Sequence, residues 1–509
     1  MPFLLVFIMP LFSQTEHGAS DFSVNLPQPL YHKYPFPAST DGCTVPRAMV
    51  EWRKKEKWVT GMKRKNVLWI LSDQHRAQAT GVGGDPNVFT PNIDRMARTG
   101  AHFCDAVSGF PLCCPYRGSM LTGLYPHQAV PGHEHRLDPN QKTLAHVFDE
   151  NGYDTFYLGK WHLDGFHESE GRAAHHIVPP TRRGGFKTWI GYENNNSQWD
   201  SWIHGGEGET AFHRRLPGYE TDALTDMMIE YLENRARAGE RGDEAPFFAV
   251  LSVQPPHDPC VAPASDMARH NAGTIQFREN VPNVKSVRAR AADELAGYYA
   301  MIENLDRNIG RVLNALDRLG FLFDTHVLYF SDHGDMHGSH GQFRKMTPYE
   351  EAVRVPLMIA GEQPMGYDAR GCGKMPGVLV NHVDIAPTTL GLCGIDAPDW
   401  MQGTDYSRYR IKTNPQKHEP DSAFLQSVVP TGHADSVCLP WRGVITKNGY
   451  KYVCLENTPW LLFDLNEDPY EQVNLAHNTA YRSRLRAFND LVREWVEKTG
   501  DAFPLPEID

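Results

Sequence analysis

The chain predicts an α/β protein: a large, mostly parallel sheet flanked by helices, followed by a smaller antiparallel α+β subdomain. Three observations lead there. Short apolar runs recur along the first 400 residues and are continuous rather than alternating, as expected of strands covered on both faces. Helical patterns lie between these runs, and strand–helix alternation of this kind builds a mostly parallel sheet. After Pro398 the texture changes to short strands joined by a tight turn.

The runs are NVLWILS (66–72), TFYLG (155–159), PFFAVLSV (246–253), THVLYFS (325–331) and VPLMIA (355–360), all read as buried parallel strands. The clearest helix is YYAMIENLDRNIGRVLNALDRLG. There Tyr298, Ile302, Leu305, Ile309, Val312, Leu316 and Leu319 form one apolar stripe, and Gly320 supplies the stop. Towards the C-terminus, WRGVITKNGYKYVCLENTPWLLFDL reads as a hairpin turning at Asn448, and a closing helix follows at 480–498. The segment 166–218 is a long insertion rich in His, Trp and Gly, and loops of that length in a compact domain are usually functional or disordered. These features divide the chain into an N-terminal extension (1–61), a main domain (62–400) and a C-terminal subdomain (401–509).

The 509 residues are 41% hydrophobic and 22% charged, enough for a large core. A net charge of -12 argues against nucleic-acid or anionic-membrane partners, though a negative whole still permits a positive pocket. No apolar run is long enough to span a bilayer. The opening MPFLLVFIMPLFSQ matches the apolar part of a signal peptide but has no preceding Lys or Arg. The other reading starts translation at Met62, since MKRKNVLWILSDQ enters a strand at once, and it favours a cytoplasmic protein slightly. Nine scattered cysteines do not make a disulfide framework.

In open α/β sheets, ligands bind beyond the carboxyl ends of the strands. The runs exit into Ser72-Asp73-Gln74, Lys160-Trp161-His162, Gln254-Pro255-Pro256-His257 and Ser331-Asp332-His333-Gly334. Asp73, Gln74, Asp332 and His333 together suit a hard divalent cation, Ca²⁺ before Mg²⁺, better than zinc. For any one of them the alternative is a helix N-cap.

The stretch PLCCPYRGSMLTG places Cys113 and Cys114 at a helix start, with Pro115 at the first helical position, Met120, Leu121 and Leu124 on a buried face, and Pro126 as the stop. A disulfide between neighbours is strained, and Cys104 alone does not complete a zinc site. By elimination one of the two is a nucleophile or its precursor, favoured by the free N–H groups of the helix start.

Cys113-Cys114-Pro115-Tyr116-Arg117, ending in Leu121-Thr122-Gly123, resembles the signature of the type I, formylglycine-dependent sulfatases of the alkaline phosphatase superfamily. LGKWHL, PPH, SDHG and KMTPYEEAVRVPL agree in order, so the likeness covers about 62–475. It implies an alkaline-phosphatase-like fold. It also implies oxidation of Cys113 to Cα-formylglycine by a formylglycine-generating or anaerobic sulfatase-maturating enzyme. The hydrated aldehyde then attacks the sulfur of a sulfate ester, with Cys113 joining Asp73, Gln74, Asp332 and His333 around the cation. Arg117, Lys160 and Lys345 would stabilise the sulfate oxygens, and His257, assisted by Lys345, would protonate the leaving alcohol. His162 would take the proton that lets sulfate leave. Cys114 is a bystander in this scheme, and His337 and His340 are loop residues.

Tyr116 stands where many members carry Ser or Ala, Gln74 where many carry a second Asp, and His333 where others carry Asn. Gln with His is a pairing of some sulfatases and of the related phosphonate monoester hydrolases. The expected substrate is a sulfated carbohydrate or an aryl sulfate, with Arg182, Arg183, Trp199, Trp202 and His204 of the insertion suited to an anionic sugar. The alternatives are a phosphonate monoester or phosphodiester hydrolase of the same superfamily, or a non-catalytic relative that binds sulfated glycans.

Overall fold

The computed structural model describes residues 64–242, 245–361, 372–411, 419–430, 432 and 437–508. The extension, its signal-like opening and the start at Met62 lie outside them.

The large sheet holds ten strands: β1 (Asn66–Ser72), β2 (Ala101–His102), β3 (Asp154–Lys160), β4 (Thr188–Tyr192), β5 (Trp202–Gly205), β6 (Phe212–Arg215), β7 (Phe247–Ser252), β8 (Thr325–Ser331), β9 (Leu357–Gly361) and β10 (Gly373–Lys374). Their order is β10-β2-β9-β8-β1-β7-β3-β4-β5-β6. The central run β8-β1-β7-β3-β4 is parallel throughout. In the central strands, alternate residues feed two different cores, which explains their unbroken apolar character. Val67, Trp69, Leu71, Phe248, Val250, Leu328 and Phe330 face one layer. Leu68, Ile70, Ala249, Leu251, Val327 and Tyr329 face the other. Each such side chain contributes about 1.5–3 kcal/mol by leaving water.

Helix α1 (Cys113–Thr122) lies on the first face, with Cys114, Tyr116, Met120 and Leu121 packed into that core. Helices α2 (Glu220–Glu240) and α3 (Lys285–Arg318) cover the second. The apolar stripe of α3 is buried from Tyr298 to Leu316, and Gly320 adopts the expected positive φ of 74° two residues past its end.

Three local expectations change. The run at 355–360 forms β9, which is antiparallel to β8. Residues 332–356 stay at the carboxyl edge of the sheet instead of crossing a face, so the next strand must descend from that edge. The insertion at 166–218 is not one loop: it supplies β4, β5 and β6, the last two antiparallel, and widens the sheet. In α1, Cys113 is the first helical residue and Pro115 the third; the helix stops at Gly123, in the left-handed region, while Pro126 starts a further short helix.

A second sheet, β11 (Ser422–Ser427), β12 (Trp441–Thr446), β13 (Tyr450–Leu455) and β14 (Thr458–Asp464), is antiparallel, with the hairpin turn at Asn448-Gly449. Its faces pack on residues from earlier in the chain, Tyr125 and Val383 on one side and Val107, Val353 and Leu379 on the other. Helix α4 (Arg482–Thr499) closes this layer. Among the described residues, no helix is long and apolar enough to cross a membrane.

Candidate active site

The ends of β1, β3, β7 and β8 converge on the first turn of α1. Its N-cap position, Leu112, is extended and offers no side-chain cap, so the first N–H groups of the helix lack a side-chain acceptor. All ten residues of α1 are buried. Gly118 permits this: a Cβ there would lie 2.6 Å from Val130 Cγ2.

Cys113 Sγ is 3.2 Å from His333 Nε2, 3.7 Å from Asp73 Oδ1 and 3.7 Å from Lys345 Nζ. Ligating atoms of Asp73, Cys113, Asp332 and His333 all lie within 4.8 Å of one another, and all four residues are buried. His333 Nδ1 is 2.9 Å from the carbonyl of Gly334, which can only accept. Nδ1 therefore carries the proton, and the Nε2 lone pair faces Asp73 and Cys113, the usual arrangement of a metal-binding imidazole. Burial lowers the pKa of this ring, which keeps it neutral. Asp332 Oδ1 accepts from the backbone N–H groups of Gln74 and His333, while Oδ2 is buried and makes no hydrogen bond, with only the Arg117 guanidinium as an ion-pair partner at 3.2 Å. A carboxylate oxygen without a hydrogen bond beside an imidazole lone pair fits a cation in this cage.

Arg117 and Lys160 balance the two carboxylates. Lys160 Nζ is 2.7 Å from Asp73 Oδ2, and Arg117 Nη2 is 3.1 Å from Asp73 Oδ2 and 3.2 Å from Asp332 Oδ2. Burial alone would raise the Asp73 pKa, but the positive charges beside it, Lys160 and then Arg117, outweigh it and hold the carboxyl well below the usual range. The same pairing outweighs burial for Lys160 and Arg117 and raises both. Arg117 Nη1 also donates to the carbonyl of Lys160 and to Ser252 Oγ. The close approach of β3 and β7 that brings these acceptors together requires Gly159, where a Cβ would meet Ser252 O at 1.9 Å.

Lys345 Nζ donates to Gln74 Oε1 at 2.8 Å and lies 2.7 Å from His257 Nε2. His257 Nδ1 faces the carbonyl of Asp258 at 2.7 Å, so Nδ1 is the donor and Nε2 is the nitrogen turned to Lys345. Gln74 Nε2 donates to Asp335 and Asp258, which fixes the amide so that Oε1 faces Lys345. His162 is buried, and burial followed by the nearby Lys160 and His133 keeps its ring neutral. Gln74, His162, Arg344 and Met346 all have positive φ (68°, 56°, 70° and 70°), conformations that cost about 1–3 kcal/mol each. The surroundings hold them: Asp332 takes the Gln74 N–H, Asp335 the Arg344 N–H and Pro111 O the Met346 N–H.

The residues of the strand ends and of the Cys113 stretch, with Lys345, lie in one buried cluster or directly against it. The insertion residues do not. Arg183 is buried, bonded to the carbonyls of Val178 and Gly206 and stacked over Trp189, so it is unavailable to a sugar. His204 is buried too and accepts from Val178 N–H. Arg182 pairs with Asp164, Trp202 is half-buried, and Trp199 is exposed. His337 lies in a turn, as expected, but is buried against Tyr298, and His340 stacks on Tyr349. Sequence reasoning missed Ser252, Asp258 and Asp335. Ser252 closes a strand whose exit was read from Gln254 onward, and Asp335 follows SDHG by one residue, so position at the strand ends was an available signal for both.

Fold and site together define a hydrolase of the alkaline phosphatase superfamily. The Sulfatase family model matches residues 65–395, and the model described as N-sulphoglucosamine sulphohydrolase, C-terminal, matches 338–498. The chain belongs to the sulfatase family and is a sulfatase. It is 32% identical to the ulvan-active sulfatase of Formosa agariphila over 86% of this chain and 82% of that protein. The multifunctional alkaline phosphatase superfamily protein PehA of Trinickia caryophylli is 28% identical over 85% of this chain and 95% of its own. Among solved structures, the putative sulfatase yidJ from Bacteroides fragilis superposes with a TM-score of 0.76 at 25% identity, covering 88% of this chain and 98% of that one.

Proposed function

We propose that this sulfatase removes sulfate from a sulfated carbohydrate or aryl sulfate, using Cα-formylglycine formed from Cys113. Asp73, Gln74, Asp332 and His333 would hold a divalent cation, Ca²⁺ before Mg²⁺. The observation that carries the reading is the position of Cys113: first residue of a buried helix, 3.2 Å from a neutral imidazole and flanked by two carboxylates and a lysine.

Charge is the first argument. Asp73 and Asp332 are cancelled by Arg117 and Lys160, so Lys345 and a bound cation leave the pocket strongly positive, suited to an anionic sulfate ester. When bound, the cation supplies Lewis-acid polarisation of the reacting oxygen. The second argument is the need for oxidation. A hydrated aldehyde at position 113 has two hydroxyls: one attacks sulfur and becomes the ester, and deprotonation of the other expels sulfate and restores the aldehyde. A neutral His162 suits that proton. The Lys345–His257 pair suits protonation of the leaving alcohol, because the lysine proton already points at the imidazole lone pair.

The sulfated-carbohydrate class is supported by the relative named for ulvan. Phosphonate monoester or phosphodiester hydrolysis keeps support from the likeness to PehA and from Gln74 with His333. Parallel rates on an aryl sulfate and an aryl phosphonate separate the two. The central test is mass spectrometry of the peptide containing Cys113 from active enzyme. Exchange of the thiol sulfur and two hydrogens for an aldehyde oxygen is expected, and an intact thiol at full activity refutes the proposal.

A further inference from the structure

A second group of ligating side chains begins one residue after Cys113. Cys114, His133 and His162 each offer an atom, and the three atoms lie within 4.8 Å of one another. Cys114 is fully buried and His162 nearly so, while the His133 side chain is 24% exposed and leaves an approach from solvent. Alone, Cys114 would be a small buried hydrophobe. The two imidazoles beside it are an independent observation, from a loop and a strand end far from it in sequence. His162 adds a further sign, because its Nδ1 is buried with no hydrogen-bond partner. The His133 and His162 rings meet edge-on, with centroids 5.7 Å apart, so both turn towards the same small volume.

This donor set differs in kind from the oxygen-rich cage around Cys113. One sulfur and two nitrogens suit a borderline-soft ion. Around tetrahedral zinc such ligands sit about 3.3–3.6 Å apart, so movements of about 1 Å would bring them into place. We propose that Cys114, His133 and His162 form a zinc site, with water in the fourth position, and that its occupancy inhibits the enzyme by withdrawing His162 from the reaction. The inhibition rests on the role proposed for His162, whereas the binding does not.

As the zinc–sulfur bond forms, Cys114 releases one proton, and the resulting thiolate cancels one charge of the ion. Glu134, with Oε1 3.6 Å from His133 Nε2, faces the site with a second negative charge. Lys160, Lys345 and Arg117 oppose the ion from the catalytic side. This opposing charge favours moderate, reversible binding over permanent occupancy.

Cobalt(II) is the spectroscopic probe and zinc the inhibitor, both added to the mature enzyme loaded with its hard cation. A cobalt–thiolate charge-transfer band is expected in the wild type and in Cys113→Ala, and it should vanish in Cys114→Ser. Zinc should inhibit the wild type, with recovery on chelation, and Cys114→Ser and His133→Gln should each need at least about tenfold more zinc for the same inhibition. The His133→Gln arm keeps the test open if the change at 114 impairs maturation. Absence of the band in the wild type, or equal zinc sensitivity in both variants, overturns the proposal. Persistence of the band in Cys113→Ala without zinc inhibition of the wild type would uphold the binding and overturn the inhibition. A thiol found at position 113 in active enzyme would instead strike the catalytic reading and leave the band unaffected.

Discussion

Replacing Arg117 by Met exposes how the buried charges are balanced. The guanidinium is completely buried, donates to Lys160 O, Ser252 Oγ and Asp73 Oδ2, and lies 3.2 Å from Asp332 Oδ2. Without it Lys160 alone faces two buried carboxylates. Removing one partner from a buried ion pair costs about 3–5 kcal/mol. At about 2 °C per kcal/mol for a large domain, the metal-free variant should melt about 6–10 °C below the metal-free wild type. Calcium should narrow that gap, because the dication replaces the missing positive charge and binds the variant more tightly. A ligand at a hundred times its Kd stabilises by about 2.7 kcal/mol, and tighter binding adds to this. Thermal melts of both proteins in EGTA and in saturating Ca²⁺ give the four values needed. If metal-free Arg117→Met melts with the wild type, or if calcium shifts both equally, the account of mutual charge compensation among Asp73, Asp332, Arg117 and the cation is wrong.

Other outcomes follow from the same geometry. Lys345→Ala should lower kcat about 10²–10³-fold on an aryl sulfate, since it removes the ammonium that faces Cys113, Gln74 and His257, and steady-state kinetics measure this. His257→Ala should cost about 10²–10⁴-fold on a sulfated sugar but much less on an aryl sulfate with an acidic phenol, which departs without a proton; equal losses on both would exclude an acid role. Asp332→Asn should weaken calcium at least about tenfold in isothermal titration, because it removes the negative charge of a cage carboxylate whose Oδ2 makes no hydrogen bond. For pH dependence, burial pushes His382 down to about 3 while its Nδ1 accepts from Gly109 N–H. A depressed imidazole stabilises the fold above the unfolded pKa of about 6.5, and that stability is lost as pH falls towards 3. The loss is about 2 kcal/mol by pH 5, and His382→Asn, which keeps an acceptor, should flatten stability between pH 6.5 and 5 by about one proton in chemical denaturation.

What the sequence determined by itself was local. A continuous apolar run marks a strand buried on both faces, and the polar residue that ends it must lie at a sheet edge. Asp73, Lys160 and Asp332 end or follow such runs, with His162 and His257 a few residues on, so they were legible without coordinates. The signature around Cys113 was legible because its residues are contiguous. The tertiary structure decided what depends on neighbours distant in the chain. The direction of β9 follows from the path of residues 332–356, and no periodicity records that path. Arg183 and His204 carry the chemistry of ligand contacts, yet the folded insertion turns both inward to satisfy backbone groups of its own connecting segments. Ser252, Asp258 and Asp335 matter because they hold Arg117, Gln74 and Arg344; strand-end position could flag Ser252 and Asp335, but which side chain each one holds leaves no spacing to read. Hydrophobic pattern is written residue by residue, whereas charge compensation and hydrogen-bond direction exist only once separate segments share a volume that excludes water.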